Sequence, residues 1–304
     1  INVFSLRSSL AQRLGVTLEQ PYPSSDRSEG LANIMLDALN DVKQPLTVER
    51  LMQWHRWLFN DPDWTMHRLR IGQLRGAEPM QVVSGRLDYP KVHFEAPPRQ
   101  GLEERLNAFI DWFNQSLNDS LLDPLLRAGI THLWFVTLHP FDDGNGRITR
   151  TLTDLALAQM DEQSIRLYAM STAILNKRKS YYEILEHTQK NDSDITDWLV
   201  WFLDTLNDIL EKTLAQISRT LFKSQFWHKY SNLALSEEQR KVLNRLLDGG
   251  ENGFEHGISA SQYQKVAKIS KATATRHLSD LLEKECIVKL EGGGRNTRYQ
   301  INTQ

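Results

Sequence analysis

The strongest constraint on this chain is a helical apolar period that recurs from residue 31 to residue 221. Leu31, Ile34, Met35 and Leu39 fall on one face of a helix with 3.6 residues per turn. Similar spacing runs through residues 47–58, 102–117, 123–138, 148–160, 175–188 and 195–221. Such patterning predicts a mainly α body. One stretch breaks it: between Gly72 and Pro98, residues 80–85 and 92–95 are rich in β-formers and flanked by Gly and Pro, which predicts a short exposed hairpin. Loop tips of this kind often carry function.

After Leu221 the balance of charge changes. From Phe222 onward there are 13 Lys and Arg against 9 Asp and Glu, a net +4, so the preceding residues carry −6 of the total of −2. The pattern there is a helix over 236–247, a Gly-rich break at Gly249, Gly250, Gly253 and Gly257, and two helices over 259–267 and 271–285 joined by Lys268-Ile269-Ser270. Two strands, 286–290 and 298–301, then flank Gly292-Gly293-Gly294-Arg295-Asn296. That order predicts a winged helix-turn-helix. The expected organisation is thus an N-terminal helical segment over 1–40, a main helical domain over 41–221 and the winged module over 222–304.

The bulk properties exclude little and favour a globular protein. At 304 residues, with 40% hydrophobic and 24% charged residues, the chain can bury one substantial core and a smaller second one. No apolar run approaches the roughly 18 residues of a membrane span, so no membrane partner is expected. Cys286 is the only cysteine, which leaves no disulfide frame or cysteine metal site and predicts a reducing, cytoplasmic home. The chain starts at Ile1, without the layout of a signal peptide, and residues upstream of Ile1 are expected.

The chemistry is concentrated in His139-Pro140-Phe141-Asp142-Asp143-Gly144-Asn145-Gly146-Arg147-Ile148-Thr149-Arg150, between one apolar helix and the start of the next. Two glycines and an asparagine sit where the unpaired N–H groups and positive dipole end of the second helix face the turn, an anion site suited to phosphate. Arg147 and Arg150, three apart, can clamp a polyphosphate from the same side. Asp143 offers a hard oxygen to Mg2+. His139 is the nearby group able to take a proton near neutral pH. Phe141 is expected to anchor the loop in the core.

This stretch resembles the Fic signature HPFx(D/E)GNGRxxR at every specified position. The resemblance covers roughly residues 1–210, and it implies a Fic-type helical bundle with a β-hairpin flap, acting as a protein adenylyltransferase. It implies that His139 deprotonates the target hydroxyl and that Asp143 holds Mg2+ against the α- and β-phosphates of ATP. Gly144, Asn145 and Gly146 would cradle phosphate oxygens, with Arg147 and Arg150 on the phosphates and Arg150 toward the γ-phosphate. Attack on the α-phosphorus then expels pyrophosphate. Gln81, Val82, Val83, Ser84 and Gly85, followed by residues 92–98, look like the flap that registers a target segment by strand addition. Tyr181, Tyr182 and Gln189 fall where the family packs adenine; a tyrosine pair on a helix is equally a core feature. A near variant of the same fold uses another nucleotide or a phosphocholine donor, but the intact GNGRxxR with Asp143 favours ATP.

Many Fic proteins are restrained by a helix with the pattern (S/T)xxxE(G/N), and Ser25-Asp26-Arg27-Ser28-Glu29-Gly30 fits it, making Glu29 a candidate inhibitor. Residues 8–15 also resemble a subgroup whose inhibitory Glu precedes such a stretch, which would put that Glu upstream of Ile1. In the winged module, Lys271, Thr273, Thr275 and Arg276 on the second helix and Arg295 and Arg298 in the wing are candidates for DNA contact. The same shape also serves protein contact or homodimerisation. The competing reading of the whole chain is a nucleotide-sensing, DNA-binding transcriptional regulator. His139 separates the two, because a sensor needs no base.

Overall fold

The computed structural model of the chain describes residues 3–15, 17, 20, 22–23, 25–40, 42–60, 69–86, 89–161, 170–190, 194–249, 254, 256–290 and 297–303. Two compact units emerge, Ile1–Leu210 and Glu211–Gln304.

The first unit is helical. α1 (Val3–Arg13) and α2 (Asp26–Asn40) lead into α3 (Val48–Leu58). Thr47 starts α3 by accepting a hydrogen bond from the Arg50 N–H, and Leu51, Trp54 and Leu58 form its buried stripe. Gly30 allows the close approach of α2 to α3, since a Cβ there would lie 1.8 Å from the Trp57 carbonyl oxygen. The hairpin follows as β1 (Gln81–Arg86) and β2 (Tyr89–Glu95), paired antiparallel with a bulge between Val82 and Val83.

α4 (Leu102–Gln115) and α5 (Pro124–Leu138) come next. Asp123 caps α5 through the Leu125 and Leu126 amides, and Pro124 occupies its first turn, where no N–H is needed. α5 is apolar nearly all round because it is the central helix: Phe135, Val136 and Leu138 are buried, as are His132 and Thr131. It lies against α6 (Asn145–Asp161), and the core is completed by α7 (Met170–Asn176), α8 (Arg178–Lys190) and the first part of α9 (Thr196–Lys229). The helix expected over 175–188 is thus two, broken at Lys177. α9 runs eight residues past Leu221, and Phe226 within it is buried in the core of the second unit, as is Tyr230 just after its end. Among the described residues no helix is long and apolar enough to cross a membrane.

The second unit contains α10 (Glu237–Asp248), β3 (Ile258–Ser259), α11 (Ala260–Ala267), α12 (Lys271–Glu283), β4 (Ile287–Lys289) and β5 (Arg298–Ile301). Capping boxes start α10 at Ser236 and α11 at Ser259, and Ser270 caps α12. The strands form an antiparallel sheet in the order β3-β5-β4. The two-residue β3 gave no sequence signal. Cys286 is buried as a free thiol.

Candidate active site

The turn between α5 and α6 is built by its own side chains. His139 ends α5 in the left-handed region, at φ 47°, with its N–H on the Phe135 carbonyl oxygen. Phe141 is fully buried, as its sequence position suggested, and the Asn145 side chain holds it from both sides: Oδ1 accepts from the Phe141 N–H at 3.0 Å and Nδ2 donates to the Phe141 carbonyl oxygen at 2.8 Å. Gly144 has φ 83°, and a Cβ there would lie 3.0 Å from the Phe59 ring, so both conformation and space demand glycine. The Arg147 and Ile148 amides close back on the Gly144 carbonyl, leaving the amides of Asn145 and Gly146 at the open end of α6.

The His139 ring is oriented by its Nδ1, 3.1 Å from the Val136 carbonyl oxygen. Since a carbonyl only accepts, Nδ1 carries the proton and Nε2 keeps its lone pair. Burial pulls the His139 pKa below the ordinary histidine value, outweighing the Val136 bond, and the Arg75 cation pulls the same way. His139 is therefore a neutral base at pH 7.

A cavity of about 270 Å3 opens beside this turn. His139, Asp142, Asp143, Gly144, Asn145, Gly146 and Arg150 form one wall, Met80, Gln81, Val82, His93 and Phe94 of the hairpin region another, and Tyr181, Tyr182, Leu185, Glu186 and Gln189 of α8 a third. Three segments far apart in sequence thus meet around one space, two of them singled out from the residues and that of α8 through the resemblance. Arg150 lines it. Arg147 does not: its guanidinium lies over the Phe59 ring, 4.9 Å from the centroid, and 3.5 Å from Asp143 Oδ2. Asp143 is 52% exposed, with Oδ1 accepting the Gly144 amide at 2.5 Å.

The tyrosine pair divides its labour. Tyr181 is buried, and its hydroxyl lies 2.9 Å from His132 Nε2, while His132 Nδ1 lies 2.9 Å from Thr153 Oγ1, which donates to the Thr149 carbonyl oxygen. Direction is forced along the chain: Tyr181 donates to His132, and His132 to Thr153. Burial holds His132 neutral, with its pKa lowered to about 3, and raises that of Tyr181. Tyr182 is 39% exposed at the cavity edge. Gln189 donates to Thr137 Oγ1 at 2.9 Å.

In the hairpin, Gln81 Nε2 donates to Glu95 Oε2 at 2.8 Å, Val83 is 51% exposed, and Ser84 and Gly85 continue β1 opposite Lys91 and Pro90. His93 Nδ1 lies 2.8 Å from Glu186 Oε2, joining β2 to α8. Glu29 sits on α2 with its carboxylate held by Ser9 Oγ and Arg13 Nη2, both at 2.6 Å. In the second unit Lys271, Thr275 and Arg276 are exposed on α12. Thr273 belongs to the Ser270 cap, Thr275 Oγ1 donates to the Lys271 carbonyl oxygen, and Arg298 donates to the Gly257 carbonyl oxygen. Arg295 lies outside the described residues.

Sequence reasoning missed the supports behind the turn. His55 of α3 is fully buried and accepts the Gly72 N–H at Nδ1 (2.9 Å), so its Nε2 donates to the Asp143 carbonyl oxygen at 3.1 Å. Its ring stacks on Phe141 at 4.3 Å, and burial lowers its pKa to about 4. Asp142 accepts the amides of Arg70 and Gly76, and Arg75 lies below His139. A histidine inside the apolar stripe of α3 was the one available signal.

Residues 45–157 match the model of the Fic/DOC family. A protein named protein adenylyltransferase Fic from Nematostella vectensis is 31% identical over 135 residues, 44% of this chain and 29% of that protein. Protein adenylyltransferase fic-1 of Caenorhabditis elegans is 33% identical over 115 residues, 37% of this chain and 22% of that protein. The match thus spans less than a third of these curated relatives. The crystal structure of a Fic family protein from Desulfovibrio desulfuricans G20 superposes with a TM-score of 0.51 at 19% identity, covering 99% of this chain and 86% of that one, which establishes a likeness of fold.

Proposed function

We propose that this chain, whose residues 45–157 match the Fic/DOC family, is a protein adenylyltransferase that moves AMP from Mg-ATP to a hydroxyl of a protein target or of itself. The observation that carries the reading is the fixed tautomer of His139: a neutral imidazole with a free Nε2 lone pair, in one cavity with the open end of α6 and Arg150. The relatives named protein adenylyltransferases support the same class of enzyme.

In the proposed step His139 Nε2 takes the hydroxyl proton as the target oxygen bonds to the α-phosphorus of ATP. The bond from that phosphorus to the α–β bridging oxygen breaks, and pyrophosphate carries away the electron pair. The amides of Asn145 and Gly146 and the Arg150 guanidinium meet the phosphate charge. Asn145 contributes through its backbone, because its side chain holds Phe141. The exposed Asp143 carboxylate fits a hard divalent ion that takes its other oxygens from phosphate and water, and Mg2+ held there would neutralise phosphate charge. Adenine is read as lying against Tyr182, Leu185 and Gln189, with Tyr181 fixing α8 from beneath. The β1 edge at Gln81, Val82, Val83, Ser84 and Gly85 is read as the strand that docks the target.

The test is incubation of the chain and its His139→Ala variant with α-labelled ATP and Mg2+. Label on the wild-type protein alone is expected; equal labelling of both would overturn the role of His139. A sensor would not need this base, which favours the transferase over the regulator. Glu29→Gly decides the restraint: a gain of label makes Glu29 the inhibitor, and unchanged label leaves it as the acceptor that joins α2 to Ser9 and Arg13 of α1.

The second unit is read as a winged helix-turn-helix that contacts DNA. The helix order, the antiparallel sheet and the exposed Lys271 and Arg276 on α12 support this. Replacing both by Ala should weaken DNA binding and lower its salt slope by about two. A chain that retains no DNA at low ionic strength would return the unit to a protein-contact or homodimerisation role.

A further inference from the structure

Arg75 is the most deeply buried arginine among the described residues, at 2% exposure, and it faces no carboxylate within ion-pair distance. The Asp142 carboxylate favours its charge from beyond that distance, but the direct hydrogen-bond partners of the guanidinium are neutral, which is costly unless they are well aimed. Its partners are carbonyl oxygens from two segments. Nε donates to the His139 carbonyl oxygen at 2.9 Å, and Nη2 donates to the Pro97 carbonyl oxygen. The Arg75 backbone is tied as well: its N–H donates to the Pro140 carbonyl oxygen at 2.9 Å, and its carbonyl accepts from Arg99 Nε at 2.8 Å.

These partners define a junction. Arg75 stands just before the chain enters β1 at Gln81, and Pro97 stands just after it leaves β2 at Glu95. One planar guanidinium therefore joins the base of the hairpin to the residue that supplies the catalytic imidazole. We infer that Arg75 is a positioning residue that sets the target-docking hairpin in register with His139, resting on the reading of His139 as the base and of β1 as the docking edge. Arg75 does not line the cavity, so it acts on geometry and not on nucleotide contact. Lysine in its place has one ammonium at the end of a flexible stem, which cannot hold two carbonyls in a fixed fork. Transfer between two bound partners is sensitive to displacements of about 1 Å, which can cost on the order of a hundredfold.

The experiment uses the whole chain with Arg75→Lys and Arg75→Gln, and Arg99→Gln as a control that leaves the fork intact. Three quantities are measured: Mg-ATP affinity, the rate of label transfer at saturating ATP, and hydrogen exchange of the amides in β1 and β2. Both Arg75 variants should exchange faster in the hairpin and transfer label at least about tenfold more slowly. Their Mg-ATP affinity should stay within about twofold of the wild type, because the turn contacts nucleotide without Arg75. Hairpin exchange equal to the wild type in Arg75→Lys overturns the inference, as does a loss of ATP affinity that matches the loss of rate. If instead the wild type itself transfers no label while the Arg75 variants loosen the hairpin, the junction stands and the adenylyl-transfer reading falls. Arg75→Lys keeps the charge and most of the volume, so it remains informative where Arg75→Gln does not fold.

Discussion

His139 is prepared for the proposed role before any substrate arrives. The Val136 carbonyl fixes the proton on Nδ1, and burial favours the neutral ring. A lowered pKa has a direct kinetic consequence. In the proposed transfer His139 works as a base only when unprotonated, so the acidic limb of the pH–rate profile should fall below the ordinary histidine value of 6.5, with activity flat from there through neutrality. Profiles of label transfer in the free enzyme measure this, and a limb at or above pH 6.5 would count against a buried base. The motif made His139 legible in the sequence; the bond that chooses its tautomer was not, because it depends on where α5 ends. Asn145 shows the same limit. Its type is written in the motif, yet the commitment of its side chain to Phe141 appears only once the turn is closed. The placing of the Arg147 guanidinium over Phe59 was not legible for a related reason, since spacing fixes a helical face but not which neighbour a long side chain reaches.

At the level of elements, the helices and the hairpin were legible because their apolar periods differ, and their boundaries were read to within a few residues except where packing intervenes. The extension of α9 to Lys229 goes with the burial of Phe226 in the second core. The supporting segment 69–76 was not legible at all. It has no period of its own, and its order comes from the turn beneath it, through Asp142, Arg75 and His55. His55 spans that junction by accepting from Gly72 and donating to Asp143. His55→Phe would keep the stack on Phe141 but strand two buried polar groups, at about 1–3 kcal/mol each. The Asp143 backbone would lose its anchor, so Mg-ATP affinity should fall by roughly tenfold, as it does when supporting partners of metal ligands are removed. Isothermal titration against the wild type measures this, and unchanged affinity with lowered stability would show that His55 serves only the core.

For the whole molecule, the two units differ in how they respond to acid. Among the described residues, the two histidines whose pKa values fall to about 4 (His55) and about 3 (His132) lie in Ile1–Leu210. Each binds a proton near pH 6.5 when unfolded and resists it when folded, so the unfolded state holds more protons as pH drops below 6.5. Their contribution to stability is fully present above pH 6.5 and is withdrawn on acidification toward pH 4, at up to about 1.4 kcal/mol per pH unit for each histidine. The depressed carboxylates of Glu211–Gln304, Glu238 and Asp280, act differently. Their contribution is present above the ordinary carboxylate range and is lost only as pH falls through and below it. Between pH 6.5 and 5 the first unit should therefore lose stability while the second keeps its own. Calorimetry at pH 7 and pH 5 is expected to show the transition of the first unit moving down relative to that of the second. His132→Gln should shrink that displacement while lowering the transition at pH 7, because it removes the titrating ring and breaks the Tyr181–His132–Thr153 chain. Transitions that shift in parallel would place the acid sensitivity outside these two histidines.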